Sequence, residues 1–420
     1  MNSHFSRGMP TRLRWMLGAA ALSAAVSTAH AEPAPPYAEL VRRAESTAPR
    51  FAESEANIRA AQGGTVQAAV RPNPSIGLEA ENVGRGTSYN GLSQEQTTLS
   101  FVQPFEIGGQ RTARINAAGA VLETARAERD RVRIEFAYEL AVAYVTAEEA
   151  ARRAELAAEA LDRSQEDERA ARALVSAGRE ADLRAVQANA ARTSAEAELE
   201  GARANASEAL ARLSGLVGTL MPYTAITPSL LDRAAELRGS AEEISSPAVR
   251  AAEAARNAAF QRIAVERTRA TPDVTVSLGL RRFAGENAKA VIAGVSVPLP
   301  LYNNNAGNIA TAEAELAAAE ARVAGARLSA EADYRAALSQ AAAAERRVAA
   351  SNQAEQAAGE AYRLARVGYE AGRTPLVEVL ASRRTLTDAQ LRTLDARGAR
   401  VRAEASIARL TGRIPFGDKL

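Results

Sequence analysis

The sequence predicts a mixed fold, a membrane β-barrel that several chains build together, continued by long α-helical coiled coils. Three observations predict it. The 420-residue chain repeats itself, each copy holds two alternating runs of strand length, and each then turns to a long helical pattern, which in the first copy runs from about Arg111 to Val175 with no proline and Gly119 as its one glycine.

The repeat shows as self-similarity at a fixed offset. Residues 171–179 (Ala-Arg-Ala-Leu-Val-Ser-Ala-Gly-Arg) match 365–373 (Ala-Arg-Val-Gly-Tyr-Glu-Ala-Gly-Arg), offset by 194, and the same offset sets Pro104 on Pro298. Residues 211–215 match 408–412 at a slightly larger offset, and Asn73-Pro74-Ser75 corresponds to Thr271-Pro272-Asp273. The units span 32–213 and 247–412, each reading strand, strand, long helix, turn, helix.

Residues 1–31 come first and read as a signal peptide. Arg12 and Arg14 precede an apolar run from Trp15 to Val26, and Ala29-His30-Ala31 fits the small-x-small rule for cleavage before Glu32. The run is too short to span a bilayer, which takes ~20 residues. Without a cysteine after the site, a lipid-anchored N-terminus is excluded.

The strands are expected at about 73–83, 97–106, 273–283 and 290–300. Ile76, Leu78 and Ala80 alternate with Ser75, Gly77, Glu79 and Glu81, and Leu99, Phe101 and Phe105 with Thr98 and Ser100. In the second unit Val274, Val276, Leu278 and Leu280 alternate with Thr275, Ser277, Gly279 and Arg281, and Val291, Ala293, Val295 and Val297 with Gly294 and Ser296. A soluble sheet packed on one face alternates the same way. The exported location and the narrow seams of the helices, which are ill suited to covering a sheet, favour a barrel with its apolar face to lipid. Four strands cannot close one, because the smallest barrels need ~8 and an open edge in lipid leaves backbone groups unsatisfied.

Gly108-Gly109, followed by Arg111, reads as a tight strand-to-helix turn needing positive φ rather than a phosphate cradle, since no Walker spacing follows. The helix after it carries Val121, Ala125, Val132, Phe136, Leu140 and Ala143 at steps of three, four or seven, and its counterpart carries Leu316, Ala319, Val323, Ala326, Ala330, Tyr334 and Ala337. These are coiled-coil seams with small knobs. Gly178 and Gly372 mark the hairpin turns. Residues 214–246, with Pro222 and Pro228, form a connector, and 413–420 a short tail. Asn303 to Asn305 read as a turn and helix cap, and Glu148-Glu149 and Glu242-Glu243 as solvated helix surface.

Composition argues against an enzyme. There is no cysteine, and the two histidines, His4 and His30, both lie in the leader, so no thiolate or imidazole chemistry is available after cleavage. Neither a catalytic residue, a cofactor site nor a metal site is expected. The net charge of +2 becomes about −1 once Arg7, Arg12 and Arg14 leave with the leader. That balance and the 4% aromatic content give nucleic-acid binding no support.

This order of elements resembles the TolC family of outer-membrane efflux proteins, over nearly the whole chain from Tyr37 to Gly412. Asn73-Pro74, Gln103-Pro104-Phe105-Glu106 and Gly108-Gly109-Gln110-Arg111 are similar to the heavy-metal, CzcC-like branch, with Gln110 where lysine is usual. Residues 298–305 (Pro-Leu-Pro-Leu-Tyr-Asn-Asn-Asn) are also similar to that branch. The resemblance implies a homotrimer sharing a 12-stranded barrel on a helical periplasmic tunnel. It also implies a periplasmic adaptor protein, an inner-membrane RND-type pump and an outer-membrane lipid environment.

Carried over, the tip residues Val175, Ser176, Gly178, Arg179, Gly368, Tyr369, Gly372, Arg373 and Thr374 would contact the adaptor. Asp182, Glu370 and Glu378 lie close enough to the turns to form acidic rings around a threefold axis. In the barrel, Glu79 and Glu81 either favour cations or merely keep the pore wet. The function implied is passive exit of heavy-metal cations such as cobalt, zinc or cadmium, with nickel and copper in the same class. The alternatives are a multidrug or solvent duct of the same fold and a soluble periplasmic coiled-coil scaffold.

Overall fold

The computed structural model describes residues 32–85, 90–91, 94–234 and 246–417. The expected leader, the Glu242-Glu243 pair, the end of the connector and the last three residues of the tail lie outside the described residues.

Two helices, α1 (Tyr37–Thr47) and α2 (Pro49–Ala68), lead into β1 (Ser75–Glu81), a short β2–β3 pair (Gly84–Arg85 and Asn90–Gly91) and β4 (Gln96–Phe105). Then come α3 (Gln110–Ser176) and α4 (Asp182–Val217). The second unit comprises α5 (Pro247–Arg269), β5 (Val274–Phe283), β6 (Ala288–Ser296), α6 (Ala306–Glu370) and α7 (Leu376–Leu410). Among the described residues, no helix is long and apolar enough to cross a membrane.

The strands form one antiparallel sheet in the order β1-β4-β5-β6, so the hairpins of the two units pair through β4 and β5. The helices α3, with 67 residues, and α6, with 65, are rods of about 100 Å at ~1.5 Å per residue. The expected seam of α6 holds, with Ala319, Val323, Ala330 and Ala337 all buried. In α3 the seam is less even, since Phe136 and Leu140 are fully buried whereas Val121 is exposed.

Three expectations change. Each unit begins with a helix: α2 packs on α3, and α5 packs on both α3 and α6. Proline at the first turn of α2 and of α5 suits a helix start, because its missing N–H is not needed there. Second, α4 passes through Gly215 and ends only at Gly218, whose φ of +85° stops it, so the connector starts later than 214. Leu213 and Val217 hold that extra turn in the main core.

Third, Glu148 and Glu149 are buried, not solvated. The connector crosses α3 at this level. The Glu148 carboxylate accepts the Ser229 hydroxyl and, at 2.9 Å, the Leu230 amide, while Tyr144 donates to the Pro228 carbonyl at 2.6 Å. Burial pushes the Glu148 carboxyl above its ordinary range. Glu149 takes a bidentate pair from Arg402 of α7, at 2.8 and 2.9 Å. From the other side, Arg400 donates to the carbonyls of Leu231 and Arg233. The connector thereby straps α3 to α7 at mid-length.

Candidate functional site: an uncovered sheet face and a paired helical tip

The sheet has two unlike faces. On one, Ile76 lies opposite Phe101, Phe101 opposite Leu278 and Leu278 opposite Ala293; the next row reads Leu78, Leu99, Leu280, Val291. Among the described residues nothing covers this face, and Ile76, Leu78 and Val291 are 76%, 75% and 73% exposed. An apolar surface that large suits contact with lipid or protein rather than water. The soluble-sheet alternative required helices over it, and none of the described helices lies there.

The other face is small and polar, and its side chains crowd one another. A Cβ on Gly77 would lie 2.9 Å from the Ser100 hydroxyl oxygen, and one on Gly294 would lie 2.8 Å from that of Ser277. Glu79 and Glu81 stand here as expected, but Glu81 is not free. Arg281 pairs with it at 3.2 Å and donates to Thr98 at 2.9 Å and to Gln96 at 3.3 Å. Glu79 is exposed, with no ion pair among the described residues. Nothing in the sequence marks Arg281 for this role, since it occupies an ordinary polar position of the alternating run.

The turn from sheet to helix is tightly built. Gly109 has φ +79°, and a Cβ on Gly108 would come within 2.6 Å of Thr271. Gln110, buried, accepts the Gly108 amide and donates to the Thr271 carbonyl at 2.9 Å and to Asp273 at 3.1 Å. The glutamine that departs from the branch's usual lysine thus ties the first unit to the second. Arg111 donates to the Ala69 carbonyl at 2.7 Å, and Arg114 holds the Glu106 carboxyl below its usual range. Asn303 and Asn304 accept the amides of Asn305 and Ala306, so this run is a turn before α6, as expected.

At the far end of the rods the two hairpin turns have the same build. The Gly178 amide donates to the Val175 carbonyl and the Arg179 amide to that of Leu174; in the second unit Gly372 donates to Tyr369 and Arg373 to Gly368. Both are Schellman caps, with Gly178 at φ +69° and Gly372 at φ +70°. Gly368 is held to glycine by proximity, since a Cβ there would lie 2.2 Å from the Thr374 hydroxyl. The turns are neighbours, because a Cβ on Gly372 would be 3.0 Å from the Arg179 guanidinium.

The nine expected tip residues therefore gather at one end. Ser176, Gly178, Arg179, Gly372 and Arg373 are exposed, and Val175, Gly368 and Thr374 are half-buried. Tyr369 is the exception at 3% exposure, packed with Ala171, Tyr362, Leu376 and Val379, and burial raises its phenol pKa. Its place is in the packing beneath the turns rather than on the contact surface. Of the expected acidic residues, Asp182 and Glu378 are exposed in first helical turns, where the helix dipole favours a carboxylate. Glu370 is already paired with Arg366 at 3.2 Å, and Arg366 also holds Glu166 at 2.6 Å.

A cluster that the sequence reading missed lies about 16 Å from the turn at Gly178, by helical rise. Asp167 of α3, 4% exposed, accepts from Arg383 of α7 at 3.1 Å, with the Tyr362 hydroxyl of α6 at 3.5 Å. Arg383 also donates to Ser164. Its neighbour Glu168 is held by Asn189 at 2.9 Å and Arg192 at 3.0 Å, both on α4. Burial outweighs the nearby arginines and raises the Asp167 carboxyl. Two adjacent acids thus tie all four helices together just above the tip. The available signal was polar Ser164 and Asp167 at seam spacing with Ala171.

The free edges of the chain line up. In the sheet they are β1 and β6. Near the sheet the helices run α2, α3, α5, α6, and near the tip α4, α3, α7, α6. One edge is therefore α2, β1 and α4, and the other is β6 and α6.

Residues 40–219 and 240–413 match the profile of the family described as outer membrane efflux protein. The chain is 44% identical over 416 residues to the nickel-cobalt-cadmium resistance protein NccC of Alcaligenes xylosoxydans xylosoxydans, covering 98% of this chain and 95% of that protein. It is 45% identical to the nickel and cobalt resistance protein CnrC of Cupriavidus metallidurans, covering 94% of each. To the cobalt-zinc-cadmium resistance protein CzcC of the same organism it is 30% identical, covering 84% of each. The fold matches the outer membrane protein VceC from Vibrio cholerae with a TM-score of 0.73 at 22% identity, over 90% of this chain and 96% of that one. With an uncovered apolar sheet face, a polar reverse face and paired helical rods, the chain belongs to the outer membrane efflux protein family, and the outer membrane is its location.

Proposed function

We propose that three copies close into a duct that lets heavy-metal cations leave through the outer membrane. The observation that carries the cargo is the 44–45% identity, over nearly all of the chain, to proteins named for nickel, cobalt and cadmium resistance. The closed oligomer is supported by the four-stranded sheet, whose edges β1 and β6 lie on opposite sides. Joining β6 of one copy to β1 of the next pairs every strand, and three copies give twelve.

The duct is passive and takes no catalytic part, with its energy supplied by an inner-membrane pump of the RND type. A periplasmic adaptor links the two by docking on the exposed tip residues Ser176, Gly178, Arg179, Gly372 and Arg373, with Val175, Gly368 and Thr374 at the margin. Docking separates α7 from α3, and the Asp167–Arg383 contact is what must part. Asp182 and Glu378 stand near the mouth, where three carboxylates around an axis attract cations without dehydrating them.

The test is growth of a deletion strain on zinc, cobalt, cadmium, nickel and copper beside common drugs and solvents. Selective metal sensitivity, restored by the intact gene, is the expected result. Sensitivity to drugs alone would overturn the cargo and favour the multidrug reading.

A further inference from the structure

The lipid-facing side of the sheet ends, at the edge farthest from the helices, in two cations set against each other. Arg282 of β5 lies in register with Lys289 of β6, one row beyond Leu280 and Val291 on the same face. Both are exposed, and neither has an ion pair or side-chain hydrogen bond among the described residues. The neighbour of Arg282 on β4 is Thr97, which donates to Glu95 at 2.9 Å. Glu286 lies in the β5–β6 turn, exposed. Two cations thus stand beside two acids, Glu95 and Glu286, neither of which pairs with them among the described residues.

Like charges directly across a strand pair destabilise a sheet, and a cation on the lipid face is tolerated only near the interface. The helices leave the sheet at its other end, so this row sits at the outer-leaflet surface. That leaflet is rich in glycolipid bearing phosphates. A phosphate between the two side chains would relieve their repulsion: arginine offers a planar fork and lysine a point charge, and their Cβ atoms are about 5 Å apart. We propose that Arg282 and Lys289 clamp a phosphate of the outer-leaflet glycolipid, one clamp per copy. This goes beyond the efflux reading and rests only on the sheet's seat in the outer membrane.

The test is native mass spectrometry of the full-length oligomer in detergent, offered bis-phosphorylated lipid A, dephosphorylated lipid A or phosphatidylglycerol. The intact protein should bind phosphorylated lipid A, with affinity falling as ionic strength rises. The R282Q/K289Q variant should bind it roughly thirtyfold more weakly, taking each cation's usual attraction to an anionic surface. R282K/K289R, which keeps both charges, should retain most of the binding and serves if the glutamine variant does not assemble. The clamp is overturned by equal binding of dephosphorylated lipid A or phosphatidylglycerol, by full displacement with inorganic phosphate, or by salt-independent binding. Single-channel conductance of the same variants reads the duct separately: it should be unchanged, and its absence in the intact protein would count against the duct and not the clamp.

Discussion

Replacing Arg383 by methionine tests whether the buried cluster above the tip holds the hairpins together. The side chain of Arg383 is 12% exposed and that of Asp167 4%, so the substitution leaves a carboxylate with little access to water. Removing one partner of a buried pair costs about 3–5 kcal/mol. Two features reduce that here. Arg366 still favours the charged form of Asp167, and burial already inclines this acid to take up a proton. A net loss of roughly 2–3 kcal/mol follows, which raises the population of a state with α3 and α7 parted by about 30- to 150-fold. Amide exchange in the first turns of α7, around Leu376 to Leu386, should accelerate by that factor, while the turns near Val401, fixed by the Glu149–Arg402 pair, should not change. The double variant D167L/R383M removes both charges from the site and should recover most of the protection, since an apolar replacement of a buried pair is often neutral. If the single variant exchanges like the intact protein, or the double variant like the single one, the cluster is not a latch.

The two sheet faces should respond oppositely to charge. Leu278→Arg, central on the apolar face, should cost about 2–4 kcal/mol and reduce the heat-modifiable oligomer on gels, whereas Ser277→Arg on the polar face should assemble and alter conductance instead. Gly368→Ala places a Cβ 2.2 Å from the Thr374 hydroxyl and should lower tip stability by about 1–3 kcal/mol, read by amide exchange in residues 366–376, with G368A/T374A recovering part of the loss. Glu148 gives a pH dependence whose sign is fixed by its raised carboxyl: the folded protein holds this proton more tightly than the unfolded chain, so this residue's contribution to stability grows as pH falls from neutral toward the ordinary carboxylate range. Thermal melts of E148Q should lack that component, and an identical pH profile in the two proteins would refute the assignment.

The strands could be read from the sequence because β-branched and aromatic residues at period two leave few other structures open, and Ile76, Leu78, Leu278 and Leu280 fall where the alternation puts them. The hairpin turns could be read because Gly178 and Gly372 each stop a long alanine-rich run. Where alanine carries the packing, the signal fades. Helix α5 buries Ala251 and Ile263 along a thin stripe, with few bulky residues to set a period, so the sequence does not mark it as a separate element. Paired charges hid the rest. Glu148 and Glu149 look like surface in one dimension because their partners, Ser229 and Arg402, lie 81 and 253 residues away. Glu81 is neutralised by a residue of the other repeat, which no local window could show.

That last pairing bears on how the proposed duct would pass a divalent cation without keeping it. On the polar sheet face Glu79, Glu81 and Arg281 leave one negative charge per copy. Among the described residues, no group of three or more acids or histidines is placed to hold a metal ion. A weak, spread negative potential raises the local cation concentration by mass action, whereas two or three converging carboxylates would strip water from the ion and slow its release. In the proposed duct, Arg281 would therefore make the exit weaker as a binding site and better as a passage, leaving choice of metal to whatever loads the other end.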